Sequence, residues 1–277
     1  MTDAHHRAAI AERAARAGGV VAREQFRGNL DVETKDDKTD LVTVADREAQ
    51  QQVVATIREE FPSDDFVCEE DSPQLSGPES GETEPSLVDD VPETGASWIV
   101  DPIDGTTNFV RGSRVWATSV TALVDGEPVG SANYMPAMGD LYAAGPESVD
   151  RDGKTMRVSE EADPEAFLVA VVNRWTDADA FGAMCRAADQ HLGDIRRLGS
   201  FQATLAMLAD GGFDAAVCTQ EANAWDTVAG VHMVREAGGT VTDIEGDRWH
   251  ADSEGMVATN GRAHDAVLAA VEATREA

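Results

Sequence analysis

The sequence predicts a mixed α/β fold that is organised as two subdomains. The chain of 277 residues is 42% hydrophobic, which is enough to build a substantial core. Alternating apolar and polar segments over residues 117–145, with a turn signal at Asp125-Gly126, indicate an antiparallel sheet. Beyond about residue 150, strand-like and helix-like segments alternate, which is typical of a layered α/β unit. We therefore expect an N-terminal α+β subdomain over residues 1–150 and a C-terminal α/β subdomain over residues 151–277.

The first half starts with an amphipathic helix predicted over residues 3–27, where Ala, Ile, Val and Phe recur among Arg and Glu at helical spacing. Three further elements are expected, namely a strand over 40–46, a helix over 47–61 and a strand over 65–71. Pro62 stops the helix, and both strands are expected to end at acidic residues. Residues 72–96 are rich in Pro, Gly, Ser and Glu and show little periodicity, so we expect a solvated, mobile loop there.

A buried strand is predicted over residues 97–100, because this segment is short, apolar and β-branched. After the antiparallel segments, the second half is predicted as alternating strands and helices. The strands are expected over residues 167–173, 194–198 and 213–219, and the helices over residues 177–191, 200–211, 225–237 and 262–276. Two short strands are expected before the last helix.

The charge of the chain excludes several classes of partner. It has 52 acidic and 22 basic residues and a net charge of −30. Phosphate backbones and anionic lipid surfaces would be repelled, so we expect neither nucleic acid nor a membrane as a partner. The acidic residues are spread among regular apolar patterns, which distinguishes them from an acidic tail. We interpret them as a halophilic, lysine-poor surface on which ions at high salt screen the self-repulsion.

The sequence shows neither a signal-type apolar stretch at its start nor an apolar run of about 18 residues, so we expect no export and no membrane span. Its three cysteines, Cys68, Cys185 and Cys218, lie far apart and lack CxxC spacing. They are typical of buried thiols in a reducing compartment, and they indicate neither a disulfide framework nor a zinc site. The expected location is the cytoplasm.

Carboxylates stand at three predicted strand ends and at one predicted helix start. These residues are Asp46, Glu69, Glu70, Asp101, Asp104 and Asp226. Carboxylates brought close together repel one another and are driven towards protonation unless cations neutralise them. Hard oxygen ligands without His or Cys suit Mg²⁺, and two such ions a few ångströms apart are a known arrangement for phosphoryl chemistry. The pattern therefore predicts a magnesium site built from several segments.

An anion pocket is predicted beside this metal site. Gly105 allows a tight turn after Asp104, and Thr106, Thr107 and Asn108 are residues that start helices well. The free backbone N–H groups at the start of such a helix, together with its positive dipole end, can hold a phosphate. A strand, a DPxDGT segment and a helix start in succession are a far more specific signal than a DxxD pair alone.

The segments "WIVDPIDGTTNF" (98–109) and "NAWDTVAG" (223–230) resemble the two signature motifs of the inositol monophosphatase family. This Mg²⁺-dependent, lithium-sensitive superfamily also contains fructose-1,6-bisphosphatases and nucleotide phosphatases. The resemblance extends in the same order to "KDDKTDLVTVAD" (35–46) and "CEED" (68–71), and it covers the chain from the first helix to about residue 260. It implies the alternating α-β-α-β-α sandwich of the sugar phosphatases and a phosphoric monoester hydrolase with two or three Mg²⁺ ions per active site.

The resemblance also implies roles for individual residues at the metals. Glu69, Asp101 and the carbonyl group of Ile103 would hold the first Mg²⁺. Asp101, Asp104 and Asp226 would hold the second.

The catalytic residues that the resemblance implies are Thr106, Asp46 and Glu69. Water activated by the first metal would be oriented by Thr106, whose hydroxyl group is polarised by Asp46. The backbone N–H groups of Gly105 and Thr106 would bind the phosphate. The reaction would be an in-line attack of water on phosphorus without a covalent phospho-enzyme.

The sequence departs from the family pattern in three places. Cys68 replaces a usual glycine, and the loop over residues 72–96 is longer than the typical connection. The glutamate that reads inositol, expected seven residues before Asp226, is Thr219 here, so specificity for inositol phosphate is not implied. The residues expected to contact substrate, or to lie just behind the metal ligands, are Lys35, Glu70, Ser200, Thr219 and Asn223.

These observations predict a Mg²⁺-dependent hydrolase of a small phosphate monoester, such as inositol-1-phosphate or a related polyol or sugar phosphate, that forms a homodimer. Fructose-1,6-bisphosphate is the main alternative substrate, and 3′-phosphoadenosine phosphate and histidinol phosphate follow. An alternative from another class is a regulatory binding protein that retains the fold. A pure binding protein has no reason to keep the predicted metal ligands together with Thr106, so the sequence favours the enzyme.

Overall fold

The structure is a computed structural model that describes residues 3–28, 32–34, 41–71, 86–172 and 178–275. Lys35 and most of the predicted loop over residues 72–96 lie outside the described residues. No helix within the described ranges combines the length and the apolar character that a membrane span requires.

The described part of the chain contains seven α-helices, fourteen strands and one short 3₁₀ helix at Pro164–Ala166. The helices are α1 (Asp3–Gln25), α2 (Val44–Arg58), α3 (Thr106–Val110), α4 (Ala178–His191), α5 (Phe201–Ala209), α6 (Ala224–Glu236) and α7 (His264–Arg275). The first nine strands are β1 (Val32–Thr34), β2 (Leu41–Thr43), β3 (Asp65–Cys68), β4 (Ala96–Asp104), β5 (Ala117–Val124), β6 (Glu127–Met135), β7 (Asp140–Gly145), β8 (Ser148–Arg151) and β9 (Lys154–Thr155). The last five strands are β10 (Leu168–Val171), β11 (Asp194–Arg196), β12 (Ala215–Cys218), β13 (Thr240–Thr242) and β14 (Met256–Thr259). Each predicted helix and strand has a counterpart here, with shifted ends.

The prediction that a strand ends at Asp46 is wrong. β2 ends at Thr43 and α2 begins with the next residue, so Asp46 lies in the first turn of the helix. The Thr43 hydroxyl accepts a hydrogen bond from the N–H of Ala45 (3.1 Å), and the Asp46 carboxylate accepts one from the N–H of Thr43 (2.8 Å). Such a capping box stabilises the start of a helix, and the T-x-x-D spacing in the sequence is the signal for it.

Two large sheets organise the fold. The seven-stranded sheet has the order β3-β4-β5-β6-β7-β8-β9, and its neighbouring strands are antiparallel except for the parallel pair β3–β4. The antiparallel sheet expected over residues 117–145 is therefore confirmed. The five-stranded sheet has the order β11-β10-β12-β14-β13, in which β10 is parallel to β11 and β12, whereas β14 is antiparallel to β12 and β13. Within the predicted loop over residues 72–96, residues 86–88 run parallel to β3, and their backbone bonds to Phe66.

The helices form three layers around the two sheets. α1 and α2 pack against one face of the seven-stranded sheet, over a core that includes the fully buried side chains of Phe66 and Trp98. α5 and α6 lie between the sheets, where Leu205 and Val231 belong to the largest apolar cluster. α4 and α7 pack against the five-stranded sheet in a separate cluster. The order of layers is therefore α-β-α-β-α, as predicted, while the division into two subdomains stays a prediction.

Candidate metal centre

A β-bulge in β4 brings Asp101 and Asp104 to the same site. In a regular strand, residues three positions apart point to opposite faces of the sheet. Here Asp101 pairs with Ser119 and Asp104 pairs with Ala117, so β4 has one residue more than β5 between these two pairs. The extra residue turns the Asp104 side chain to the same face of the sheet as the Asp101 side chain. Pro102 lies inside the bulge, where the N–H that proline lacks is not needed for the ladder.

A third carboxylate comes from α6. Asp226 lies in the first turn of that helix, where the positive end of the helix dipole favours an acidic side chain. Carboxylate oxygens of Asp101, Asp104 and Asp226 all lie within 4.8 Å of one another. Asp101 is 1% exposed and Asp104 is 5% exposed, whereas Asp226 is half-buried. Three of the six carboxylates singled out in the sequence thus meet in one small, largely buried volume.

This crowding makes the ionised forms of the carboxylates unfavourable. Burial, with repulsion from Glu69, Asp104 and Asp226, raises the pKa of Asp101 well above its ordinary value of 3.8. Burial and repulsion from Asp226 raise the pKa of Asp104 to about 7, although hydrogen bonds to its carboxylate act in the opposite direction. A divalent cation at this point would lower both pKa values, because it stabilises the ionised carboxylates.

The residues of the cluster fit a hard divalent cation. Oδ1 of Asp101 is buried and has no hydrogen-bond partner in the described part of the chain. A buried carboxylate oxygen in that position is costly unless a cation coordinates it. Among the described residues the cluster contains carboxylates only, and such ligands suit hard divalent cations, among them Mg²⁺, Ca²⁺ and Mn²⁺.

Asp104 is held in place by the start of α5. Its Oδ1 accepts a hydrogen bond from the N–H of Phe201 (3.0 Å). Its Oδ2 accepts hydrogen bonds from the N–H of Gln202 (2.8 Å) and from the hydroxyl group of Ser200. Ser200 is the N-cap residue of α5 and also accepts the N–H of Ala203 (3.2 Å). The Ser200 side chain is therefore buried between Asp104 and the helix, which favours a role in orienting Asp104 over the predicted contact with substrate.

Asp46 and Thr106, which the sequence pairs as catalytic residues, lie next to each other. The Thr106 hydroxyl donates to the carbonyl of Ile103 (3.1 Å) and lies 3.5 Å from Oδ1 of Asp46. The other Asp46 oxygen accepts both the N–H and the hydroxyl of Thr43 (2.8 and 2.6 Å). Burial raises the pKa of Asp46 to about 6, with a smaller contribution from Glu70, although the bonds from Thr43 lower it.

Gly105 makes the turn from β4 into α3. Its φ of +92° lies in the left-handed region, which glycine adopts without strain. A Cβ atom at Gly105 would lie 3.1 Å from the carbonyl oxygen of Gly199 and 3.1 Å from Cβ of Ser200. The turn therefore requires glycine for its conformation and for the space around it. Because a helix leaves its first N–H groups without acceptors of its own, α3 can offer such groups directly after Asp104.

Glu69 and Glu70 follow β3 and are positioned by Gln50, a residue that the sequence analysis missed. The Glu69 carboxylate is close enough to Asp101 to raise the pKa of Asp101 by repulsion, and Glu70 is 5% exposed. The buried side-chain amide of Gln50, in α2, donates to the carbonyl of Glu70 and accepts the N–H of Glu70 (3.0 Å). This pair of bonds fixes the segment that carries both carboxylates. A single glutamine in an amphipathic helix gives no sequence signal for such a role.

The remaining predicted residues lie at the rim of the site or outside the described ranges. Asn223 is the N-cap residue of α6, and its side-chain amide donates to Oδ2 of Asp226 (3.0 Å), which favours a role in orienting that carboxylate. Thr219 is half-buried and follows β12 directly. Lys35 lies outside the described residues, so the structure does not test its predicted role.

Known proteins are similar to this chain in sequence and in fold. A family model described as the inositol monophosphatase family matches residues 3–276. The fructose-1,6-bisphosphatase/inositol-1-monophosphatase of Thermotoga maritima is 34% identical over 247 residues and covers 88% of each chain. The Nus factor SuhB of Pseudomonas aeruginosa is 30% identical, covering 95% of this chain and 94% of its own. The solved structure of an IMPase from Thermotoga maritima superimposes with a TM-score of 0.82 at 30% identity, covering 95% of this chain and 96% of the other.

Proposed function

The chain belongs to the inositol monophosphatase family, and on this premise we propose that it is a Mg²⁺-dependent hydrolase of small phosphate monoesters. Membership of the family makes it a phosphoric monoester hydrolase. The observation that carries the proposal is the approach of carboxylate oxygens of Asp101, Asp104 and Asp226 to within 4.8 Å of one another. A protein that holds so much negative charge in one place is suited to binding cations, which a phosphoryl reaction needs.

Two or three Mg²⁺ ions per active site are part of the proposal. Glu69, Asp101 and the carbonyl of Ile103 would hold one ion, and Asp101, Asp104 and Asp226 would hold a second. When bound, these ions would neutralise phosphate charge, make water a stronger nucleophile and stabilise the departing alkoxide. The mutual repulsion of the carboxylates supports the binding of more than one cation, because two cations offset it better than one.

The side chains of Thr106 and Asp46 would orient the attacking water. When Thr106 donates its proton to Asp46, its oxygen is left to accept a hydrogen bond from the water. With a pKa raised to about 6, Asp46 is still mostly ionised at neutral pH, so it can accept the hydrogen bond from the Thr106 hydroxyl group. Glu69, whose charge acts on Asp101, is the third proposed catalytic residue and would help to hold the metal ion that activates the water. Glu70 would lie behind the ligands or serve a third metal ion.

The phosphate would be bound by the backbone N–H groups of Gly105 and Thr106. α3 has only five residues, so its dipole is small and the individual hydrogen bonds supply most of the attraction. The position of these groups directly after Asp104 places the proposed phosphate cradle and the proposed metal ligands on one short segment.

A small phosphorylated polyol or sugar is the proposed substrate, and inositol-1-phosphate and fructose-1,6-bisphosphate are the leading candidates. The name of the Thermotoga maritima relative joins both activities. Thr219 supplies no carboxylate to accept hydrogen bonds from inositol hydroxyls, which supports a sugar phosphate more than inositol-1-phosphate. Lys35 would contribute a positive charge near the substrate.

We propose that the enzyme acts as a homodimer in the cytoplasm. A regulatory binding role is a second candidate, because a relative of 30% identity carries the name Nus factor SuhB. The buried carboxylate cluster argues that such a role would be additional to catalysis, since a binding protein alone has no use for it.

Release of inorganic phosphate, with Mg²⁺ and with EDTA, tests the proposed function on a panel of substrates. The panel contains inositol-1-phosphate, fructose-1,6-bisphosphate, 3′-phosphoadenosine phosphate and histidinol phosphate. Asp104→Asn keeps the shape of the side chain and removes its charge, and we expect activity to fall at least about 100-fold. Asp152→Asn, in the exposed β8–β9 turn where a φ of +51° also suits asparagine, should leave it unchanged.

Undiminished hydrolysis by the Asp104→Asn variant would show that the metal ligands are wrongly assigned. Hydrolysis that survives EDTA would exclude the magnesium dependence. A wild-type protein that hydrolyses no member of the panel under any condition would favour the regulatory role.

A further inference from the structure

Gln202 lies in the first turn of α5, fully buried, between two of the clustered carboxylates. Its backbone N–H donates to Oδ2 of Asp104 (2.8 Å), and its side-chain amide bonds to α6, the helix that carries Asp226. A glutamine with no exposed surface is uncommon and persists where its polar atoms are all satisfied.

The Gln202 amide binds the backbone of α6 on both sides of Asp226. Nε2 donates to the carbonyl of Trp225 (2.7 Å), the residue directly before Asp226. Oε1 accepts a hydrogen bond from the N–H of Gly230 (2.9 Å), which lies about one turn after Asp226. The first bond holds the peptide group that precedes Asp226, and the second anchors the following turn of α6, so together they limit movement of the turn that carries Asp226.

Two neighbouring residues keep the amide in this orientation. Asn133, in β6, donates its side-chain NH₂ group to Oε1 of Gln202 (3.0 Å), so this oxygen receives two donors and the amide cannot turn over without losing both. Gly230 allows the two helices to approach, because a Cβ atom there would lie 2.3 Å from Cβ of Leu205. A side chain at Gly230 would push α5 and α6 apart.

We propose that Gln202 is a positioning residue that sets the separation of Asp104 and Asp226 and thereby the affinity of the site for a divalent cation. The inference rests on the proposed function, because it takes the carboxylate cluster to be a metal site. Carboxylates whose oxygens lie within 4.8 Å of one another repel. If only apolar side chains joined α5 and α6, the two helices could slide apart under this repulsion, because apolar contacts are not directional. Directional hydrogen bonds resist the displacement, and a neutral amide does so without adding charge to the site.

Binding of Mn²⁺, followed as loss of the free-ion signal in electron paramagnetic resonance, tests the inference without using activity. Gln202→Met keeps the length of the side chain and removes the amide. We expect the Mn²⁺ affinity of this variant to fall about 10- to 100-fold, the range seen when partners that orient metal ligands are replaced.

Ser131→Ala is the matched control for a general loosening of α6. Ser131 Oγ and His232 Nδ1 lie 2.8 Å apart, so this variant also removes a polar contact between β6 and α6. His232 lies beyond Gly230 in the helix, away from Asp226, and we expect the Mn²⁺ affinity to stay at the wild-type value. Equal losses in the two variants, or a wild-type affinity in Gln202→Met, would overturn the inference.

A measurement on the wild-type protein covers the case in which Gln202→Met does not fold. NMR of protein with isotope-labelled glutamine reports hydrogen exchange of the Gln202 side-chain NH₂ group. We expect strong protection that persists after EDTA treatment, and rapid exchange would overturn the inference. If the wild-type protein binds no Mn²⁺ or Mg²⁺, the proposed function fails, whereas normal binding by both variants removes only the role of Gln202.

Discussion

The hydroxyl group of Thr106 lies 3.5 Å from Oδ1 of Asp46, although 60 residues separate them in the sequence. The same hydroxyl lies 3.1 Å from the carbonyl of Ile103, so its proton has two acceptors on the protein. A hydroxyl group whose proton is engaged in this way can only accept a hydrogen bond from a water molecule in front of it. This polarity suits a residue that orients an attacking water.

We therefore expect Thr106→Val, which keeps the shape and removes the hydroxyl, to lower kcat about 10²- to 10⁴-fold with little change in KM. Thr106→Ser keeps the hydroxyl and should retain most of the rate. Steady-state kinetics of phosphate release measure both variants. If Thr106→Val turned over at the wild-type rate, the proposed role of Thr106 would be wrong.

Gly105→Ala is expected to weaken phosphate binding. The left-handed φ of +92° costs about 1–2 kcal/mol for a residue with a Cβ atom. The new Cβ would also crowd the Gly199 carbonyl and Ser200 at 3.1 Å, and Ser200 is bonded to Asp104. This crowding would displace the N–H groups of Gly105 and Thr106 from the phosphate, and we expect inhibition by inorganic phosphate to weaken about tenfold, which corresponds to about 1.4 kcal/mol of lost hydrogen bonding.

Gly139→Ala is the control for the change at Gly105. Gly139 has a φ of +90°, but nothing lies within 4 Å of a Cβ atom placed there. This variant should lose about 1–2 kcal/mol of unfolding free energy and bind phosphate normally. Equal stability losses with unchanged phosphate inhibition in both variants would contradict the phosphate cradle at Gly105.

Local patterns account for the parts of the site that the sequence predicts well. The strand over residues 97–100, the turn at Gly105 and the helix that begins at Thr106 follow from an apolar run, a glycine and helix-starting residues. The meeting of Asp101 and Asp104 could be stated from the family resemblance but not from strand periodicity. A regular strand would separate these two side chains, and the bulge that unites them is set by pairing with β5.

Long-range contacts account for the parts that the sequence does not reveal. Gln50 bonds to a residue 20 positions away and Gln202 to one 23 positions away, and helical periodicity alone treats both as surface positions. The sequence analysis expects Ser200 and Asn223 at the substrate, and this stays a prediction. The Ser200 side chain bonds to Asp104, 96 residues away, and only the packing of α5 beside β4 determines this contact. The Asn223 side chain bonds to Asp226 three residues on, a local contact that the sequence analysis does not use.

The stability of the metal-free protein should depend on pH through Asp104. Burial raises the pKa of Asp104 from 3.8 to about 7, so its proton is bound more tightly in the folded chain than in the unfolded chain. The bound proton of Asp104 therefore stabilises the folded chain fully below about pH 4, and this stabilisation is lost as the pH rises to about 7. The loss of unfolding free energy is on the order of 4 kcal/mol. We expect the unfolding free energy in EDTA to be lower at about pH 8 than at about pH 5, and Mg²⁺ to restore it at about pH 8.

Asp104→Asn is the control for this pH dependence, because asparagine resembles the protonated acid at every pH. In urea unfolding at about 1 M KCl, where surface charges are screened, the variant should lose the part of the pH difference that Asp104 contributes. The part that comes from Asp101 and Asp46, whose pKa values are also raised, should remain. The variant should also gain less from Mg²⁺, since one ligand is gone. An unfolding free energy of the wild-type protein in EDTA that does not fall between about pH 5 and about pH 8 would contradict the expected destabilisation by the buried carboxylates.

Salt should stabilise this protein through the screening of its acidic surface. A net charge of −30 destabilises the compact state through repulsion. Most of the ion pairs in the described part of the chain join exposed or half-exposed side chains, and such pairs add little to the stability of the fold. Raising KCl from about 0.1 M to about 1 M shortens the Debye length from about 10 Å to about 3 Å, so repulsion weakens more than the few ion pairs do. We expect the free energy of urea unfolding to increase across this range.

Urea unfolding over the same range of KCl concentrations, measured close to the isoelectric point, separates charge screening from other effects of salt. Near pH 4.3, the isoelectric point of the sequence, the net charge is close to zero and screening has little repulsion to remove. The gain in unfolding free energy from KCl should therefore shrink there, whereas a gain through ion exclusion from the protein surface would persist. No loss of stability on desalting at neutral pH would contradict the interpretation of this surface as an adaptation to high salt.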